Sequence, residues 1–417
     1  MKGAARQDAN TGKRHLMQSD TAATELKKQH LINPEICIRC NTCETTCPLG
    51  AITHDANNYV VDASICNFCF ECITPCPTGS IDNWRVVKTA YSIGDQYEWK
   101  ELPVQEDLGE AATTTIQEVE DEVEKLLSSA HSGLGGPAVA PASASKPSVN
   151  LYRRDKPAIA TVQGNFRITA PGTDSDVHHV VLSFGNVIFP VLEGQSIGIL
   201  PPGTQADGRP HNVRLYSIAS ARDGEKRDAN NVGLTVKRVE GGVASNYVCG
   251  LTVGDKVEVT GPFGATFLMP NDAQSNVIMI CTGTGSAPFR AFTERRRRTT
   301  SGAPGKFIMF FGARTPQELP YFGSLQKVPN SLLEKHLVFS RIPGADKEYV
   351  QDRIRTEHQA VAALLASPAT HVYICGLKGM EAGVEEALSD VCRKWGREWS
   401  KLRPEMRTSG RYHIETY

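Results

Sequence analysis

The chain has 417 residues, of which 45 are Lys or Arg and 46 are Asp or Glu, giving a formal net charge of −1. That balance excludes the basic excess that non-specific nucleic-acid binding needs, and no apolar run approaches the roughly 20 residues of a membrane span. The opening stretch MKGAARQDANTGKRHLMQSD is basic but lacks the apolar core of a signal peptide, so a cytoplasmic protein of two or three domains is expected.

Residues 1–30 are polar, without periodicity, and are expected to be mobile. Residues 31–100 form the next unit and hold eight of the 12 cysteines, all between positions 37 and 76. Without a secretory context that density indicates metal rather than disulfides. Cys37-x-x-Cys40-x-x-Cys43-x-x-x-Cys47-Pro48 is followed by Cys66-x-x-Cys69-x-x-Cys72-x-x-x-Cys76-Pro77, each cysteine recurring 29 positions later. Three closely spaced thiolates cap three corners of an iron–sulfur cube, and the cysteine before proline ligates the other cluster. One [4Fe–4S] cluster is therefore assigned to Cys37, Cys40, Cys43 and Cys76, and a second to Cys66, Cys69, Cys72 and Cys47. Structural zinc favours Cys-x-x-Cys pairs separated by a longer loop and fits these triples poorly. The segment resembles bacterial two-cluster ferredoxins, which implies a ferredoxin-like fold.

Residues 101–150 read as a linker. Ile116, Val119, Val123, Leu126 and Leu127 fall at helical spacing within 116–127, a short helix expected to pack on a domain. The Ala-, Pro-, Ser- and Gly-rich stretch 128–150 has too few large apolar residues for a core and reads as a tether. From 151 to 272, short β-rich runs (AIATVQGNFRIT, DVHHVVLSF, QSIGIL, NVGLTVKRV) bounded by turn residues predict an antiparallel barrel. From 273 to 417, strands alternate with Gly-rich turns and helices, the pattern of a parallel α/β nucleotide-binding domain.

Arg214-Leu215-Tyr216-Ser217 places an arginine for a diphosphate, an aromatic face and a hydroxyl along one strand. Gly241-Gly242-Val243-Ala244-Ser245-Asn246 offers backbone amides ahead of a helix, suited to a pyrophosphate. Cys281-Thr282-Gly283-Thr284-Gly285-Ser286-Ala287-Pro288 follows the apolar strand NVIMI and lets backbone approach a second diphosphate. From RLYSIAS to the terminal ETY, with GPFGATFLMP, FFGAR, VFSR, KEYVQDRI and VYICGLKGMEAG in order between them, the chain resembles the plant-type ferredoxin–NADP⁺ reductase family.

That resemblance implies FAD held by Arg214, Leu215, Tyr216 and Ser217, its phosphates lined by Thr235, Val236 and Lys237, and its pyrophosphate at Gly242, Val243, Ala244 and Ser245. It implies that Tyr417 covers the flavin, that Ser217, Cys375 and Glu415 support hydride transfer, and that Thr284, Gly376 and Leu377 line the nicotinamide nucleotide. Ala313 and Arg314, Ser340 and Arg341, Lys347, Tyr349 and Gln351 match the family's adenosine and 2′-phosphate contacts. No acid interrupts Ser340-Arg341, so NADPH is favoured over NADH. The loop between VKR and GGVASN is short, and the family's tyrosine stacked on the FAD adenine has no counterpart.

A two-cluster unit ahead of a reductase resembles the reductase components of aerobic benzoyl-CoA 2,3-epoxidase systems. This implies electron flow from NADPH through FAD and two clusters to a di-iron oxygenase partner. A general NADPH–ferredoxin oxidoreductase and a non-catalytic iron–sulfur carrier subunit are the alternatives, and a homodimer stays open. Cys249, Cys281 and Cys392 read as small buried hydrophobes. Arg295 to Arg298 read as a solvated helix face, with an acidic partner as the second option. His178-His179 shows no metal-ligand spacing.

Overall fold

The computed structural model describes residues 27–67, 72, 76, 78, 80, 81, 83–104, 139–205, 208–299 and 304–417. The chain divides into two compact units, Met1–Gln117 and Glu118–Tyr417. The helix expected at 116–127 lies outside the described residues, as does Cys69. Among the described residues no helix is long and apolar enough to cross a membrane.

In the first unit, strand β1 (Lys27–Leu31), helix α1 (Thr42–Thr46), strands β2 (Ile52–His54), β3 (Tyr59–Val61) and β4 (Asn83–Val87) and helix α2 (Ile93–Tyr97) follow in order. β1 pairs antiparallel with β4, and β2 with β3. Residues 27–30, expected in a mobile N-terminus, thus begin the cluster unit. The polar side chain of Gln29 is the reason the pattern missed them: buried, it accepts from Tyr91 N (2.7 Å) and donates to Tyr91 O (2.9 Å). Buried Gln96 does the same for Val61 (3.1 and 2.9 Å), fastening α2 to β3. Ile32, Ile52, Tyr59, Val61 and Ile81 form a small core, and Cys37, Cys47, Cys66 and Cys76 pack against it.

In the second unit, β5 (Ala158–Arg167), β6 (Val177–Ser183), β7 (Ser196–Leu200), β8 (Arg214–Ser217), β9 (Asn231–Lys237) and β10 (Lys256–Phe263) form an antiparallel sheet in the order β8-β7-β10-β5-β6-β9. Its two edge strands meet where Ile218 bridges Leu234 and Ala219 N donates to Gly233 O (2.7 Å). Alternation fixes the inner face: Ala158, Ala160 and Val162 of β5 are buried while Ile159 is exposed. Helix α3 (Val243–Gly250) follows β9.

The rest is a parallel sheet, β11 (Asn276–Thr282), β12 (Phe307–Ala313), β13 (Glu334–Phe339), β14 (Thr370–Gly376) and β15 (Tyr412–Thr416), ordered β13-β12-β11-β14-β15. Helices α4 (Ala287–Thr299), α5 (Phe322–Gln326), α6 (Val350–Thr356), α7 (His358–Leu365), α8 (Glu381–Lys394) and α9 (Trp399–Thr408) lie between the strands. β11 reads as one apolar run because both faces are covered: Ile278 and Ile280 enter one core, Val277, Met279 and Cys281 the other. The strand order reverses between β11 and β14, which opens a crevice at their carboxyl ends.

Two expectations are corrected here. Residues 139–150 of the tether are fastened to the second unit by polar contacts, with Pro141 buried among them. Ser145 Oγ accepts from Arg222 (3.0 Å) and Asn271 (2.8 Å), and Ser148 O accepts from Gln195 (2.9 Å). The arginine run is not a solvated face either. Arg296 is 3% exposed, donates to the carbonyls of Ala273, Ser275 and Gly305, and lies 3.8 Å from the Phe307 ring centroid. Arg298 pairs with Asp223 at 2.6 Å. Only Arg297 of the run is exposed, and it pairs with Glu294 at 2.6 Å. Cys249, Cys281 and Cys392 are buried, as expected.

Candidate functional site

The cysteine runs meet crosswise. Cys47, Cys66 and Cys72 line one cavity with His30, Ile52 and Val61. Burial pushes the Cys43 thiol up to about 11, and the charges of neighbouring Cys37 and Cys76 add to that; Cys76 also acts on Cys40. Left-handed backbone at Arg39 and Asn41 (φ 55° and 62°) curls the loop that carries Cys37 to Cys43. Donors reach the sulfurs: Thr42 Oγ1 to Cys40 at 3.2 Å, Ala51 N to Cys47 at 3.3 Å, and Ser80 Oγ within 3.4 Å of Cys76. Soft thiolates with donors aimed at them suit iron–sulfur clusters, whose potentials such bonds tune.

On the antiparallel sheet, β8 carries the expected flavin-binding residues. Tyr216 has a buried hydroxyl with no hydrogen-bond partner among the described residues, and burial pushes its pKa upward. A buried orphan hydroxyl of this kind fits a missing ligand group. Arg214 is exposed, with Leu215 and Ser217 half-buried beside it. Gly242 caps α3 with no side-chain hydrogen bond, so the amides of Val243, Ala244 and Ser245 open an eight-residue helix suited to an anion. Lys237 is exposed, but Thr235 and Val236 are buried, and Thr235 Oγ1 is engaged by Tyr321 OH at 2.6 Å. Their side chains are therefore not offered to phosphates.

The turn Gly283-Thr284-Gly285 joins β11 to α4. A Cβ at Gly285 would stand 2.2 Å from Cys375 O, so glycine is required for this close approach of β11 and β14. Strand register sets Cys375 between Cys281 and Glu415. Burial raises both the Cys375 thiol and the Glu415 carboxyl, the latter to about 7 against hydrogen bonds from Ser196 and Ser217. The last residue is clamped in place: Tyr417 N donates to Gly376 O (3.0 Å), Lys378 N donates to Tyr417 O (3.2 Å), and the phenol bonds Thr284 Oγ1 (2.5 Å). Leu377 is exposed beside it.

Ala313, Arg314, Ser340 and Arg341, expected at the adenosine end, lie at the tips of β12 and β13. Ser340 N donates to Ala313 O (3.1 Å) and Arg341 N to Arg314 O (2.8 Å). Arg314 is shared with Asp174 (3.7 Å) and Glu318 (3.9 Å). Arg341 and Lys347 are exposed, and among the described residues no acid pairs with either. Tyr349 is 48% exposed at the start of α6, and Gln351 packs against Gly383.

Sequence reading missed Ser196 and the latch made by Thr235, His179, Glu225, Arg290 and Tyr321. No motif marks them, because their roles come from strand register and long-range packing. His178 and His179 are bound by Asn165, Asp176, Tyr321 and Glu225, and among the described residues no His, Cys, Asp and Glu group could hold a metal ion.

Fold and site together define an FAD- and NADP-binding oxidoreductase that also carries a 4Fe–4S motif. The oxidoreductase FAD-binding domain matches residues 193–267, the oxidoreductase NAD-binding domain residues 279–386, and the 4Fe–4S binding domain residues 30–53. Ferredoxin–NADP reductase of Spirulina sp is 38% identical over 288 residues, covering 64% of this chain and 98% of that one. The cyanelle enzyme of Cyanophora paradoxa is 38% identical, covering 64% and 79%. The ferredoxin–NADP⁺ reductase structure of Plasmodium falciparum with 2′P-AMP is 26% identical, with a TM-score of 0.52 over 64% of this chain and 99% of that one. The chain belongs to the ferredoxin–NADP reductase family.

Proposed function

We propose that the chain oxidises NADPH and exports the electrons through FAD and two [4Fe–4S] clusters of its own first unit to a separate protein acceptor. The observation that carries this reading is the division of labour along the chain. Relatives complete in themselves match 64% of it, and the remainder holds two cysteine runs arranged crosswise. Bound FAD would take two electrons as hydride and give them up singly, joining a nicotinamide to one-electron centres. Tyr216, Arg214, Lys237 and the start of α3 hold that group; Ser217, Cys375 and Glu415 orient the nicotinamide; Tyr417 excludes water from the stacking face until the nucleotide displaces it. Arg341 and Lys347 take the 2′-phosphate, a reading supported by the relative that binds 2′P-AMP.

The finer reading makes the acceptor a di-iron oxygenase of an aerobic benzoyl-CoA epoxidase system. Its support is the order of the units and the Cys375–Gly383 and Glu415–Tyr417 signatures. The relatives' names favour a second reading, a general NADPH–ferredoxin oxidoreductase. The purified chain should contain about eight irons per FAD. The fragment 139–417, which spans the matched FAD- and NAD-binding domains, should oxidise NADPH with ferricyanide yet fail to reduce the protein acceptor. Full acceptor reduction by that fragment would remove the clusters from the path. Comparing a ferredoxin with the oxygenase component as acceptor of the whole chain decides between the two readings.

A further inference from the structure

A cavity of about 270 Å³ lies where the antiparallel sheet meets α4 and α5, and one of about 420 Å³ adjoins it through Ile168, Tyr321 and Ser324. No residue assigned to the flavin or the nicotinamide nucleotide lines either of them. Phe166, Ile168, Met309, Phe311, Leu325 and Val328 wall the smaller one. A register shift in β5 between Val162 and Gly164 precedes Phe166, whose ring folds back over Gly164, where a Cβ would stand 2.4 Å from it. Phe166 is 59% exposed, a large aromatic presented to solvent rather than to a core. Tyr321, which lines both cavities, stands at φ 61° ahead of α5. Left-handed backbone is an outlier for a bulky residue, and such outliers cluster at ligand clamps.

The polar groups of the smaller cavity are already engaged. Arg290 is bound to Glu225 and Ala219 O, His179 to Glu225 and Tyr321, and the Tyr321 hydroxyl to Thr235. Ser286, Thr293 and Ser324 donate to the carbonyls of Gly283, Phe289 and Tyr321. Glu294 pairs with Arg297. An occupant thus meets apolar and aromatic walls and no uncompensated cation that would draw an anion. The size and lining are those of a small-molecule site. We propose that this cavity binds a neutral aromatic molecule of one or two rings against Phe166 and Tyr321. The site is independent of the function proposed above. Because Tyr321 also bonds Thr235 of β9 and His179 of β6, an occupant bears on the bonds that fasten α5 to the antiparallel sheet.

The test is ligand-observed saturation-transfer NMR on the full-length holoprotein, with indole as the neutral probe and benzoate as its anionic counterpart. Indole should receive saturation and bind with a Kd below about 1 mM, the reach of a small ring held by apolar contact. Benzoate should show no transfer. Phe166→Ala should weaken indole about fivefold, the worth of one aromatic contact, and the side chain it shortens is exposed, so the variant should fold. Val328→Trp, which fills the cavity with a ring of its own, should weaken indole about tenfold or more. Should the tryptophan variant not accumulate, Phe166→Ala decides alone. Absent transfer to indole, benzoate bound as tightly as indole, or an unchanged indole Kd in Phe166→Ala overturns the site.

Discussion

The two chemical regions of this molecule are written in different ways. In the first unit the proposed ligands are a spaced string: on that reading each run supplies three thiols, and Cys47 and Cys76 go to the other site. In the second unit Ser217, Cys375 and Glu415 are separated by up to 198 positions: β14–β15 pairing sets Cys375 beside Glu415 in the parallel sheet, and Ser217 of the antiparallel sheet comes to Glu415 by long-range packing. A local string can be read without a fold. A site assembled by register cannot, and it is open to disturbance from residues that never touch a cofactor.

The largest effect should come from breaking the crossover between cysteine runs. If Cys76 belongs with Cys37, Cys40 and Cys43, then Cys76→Ser should cost the cluster of the first run while sparing the second. Iron should fall from about eight to about four per FAD. Cys47→Ser should give the converse. Spectroscopy that resolves the two clusters checks this, and a Cys76→Ser protein that keeps the first-run cluster would break the assignment.

Much of this was legible from residues alone. The cysteine runs, the strands β5, β6, β7, β9 and β11 to β14, and the glycine turn at 283–285 all follow from spacing and alternation, because each is a local solution to burial or close approach. What stayed hidden is polar and long-range. Gln29 and Gln96 bury amides in the first unit, Ser145 and Ser148 pin an apparently slack segment, and Arg296 looks like a surface charge yet caps three carbonyls. Composition treats all of these as solvent-loving. Only the partner brought by the fold turns each into an anchor.

The second effect probes the latch that joins the antiparallel sheet to α4. Arg290 reaches both oxygens of Glu225 (2.8 Å each) and donates to Ala219 O, while His179 stands 3.1 Å from Glu225 and 2.8 Å from Tyr321 OH. Burial pushes the Glu225 carboxyl up, but the bonds and charges of His179 and Arg290 outweigh it and hold it at about 2, below its ordinary 4.5. A folded-state value below the unfolded one stabilises above the unfolded value and is lost as pH falls through the folded one. Glu225 should thus contribute about 3 kcal/mol near neutrality, lost between about pH 4.5 and 2. Glu225→Gln should lower unfolding free energy by about 3 kcal/mol at pH 7, since Arg290 is left buried without its countercharge, and should flatten the acid limb. Urea unfolding across pH measures both.

The smallest effect concerns the choice of nucleotide, where the register-built region has a contact legible from the string. Arg314 is shared between Asp174 and Glu318, whereas Arg341 and Lys347 are exposed with no acid partner among the described residues. Backbone bonds from Ser340 to Ala313 and from Arg341 to Arg314 fix the tips of β12 and β13 together, so the guanidinium starts from an ordered backbone. A charge-assisted contact to a phosphate contributes about 1.5–3 kcal/mol. Arg341→Ala should therefore raise KM for NADPH about tenfold or more, and leave KM for NADH and kcat with either cofactor nearly unchanged, because the ring-facing residues lie at β14 and β15. Arg314→Ala should do less, its charge being already divided between two carboxylates. Equal losses for NADPH and NADH in Arg341→Ala would show that this arginine shapes the loop rather than reading the 2′-phosphate, and would move discrimination to Lys347.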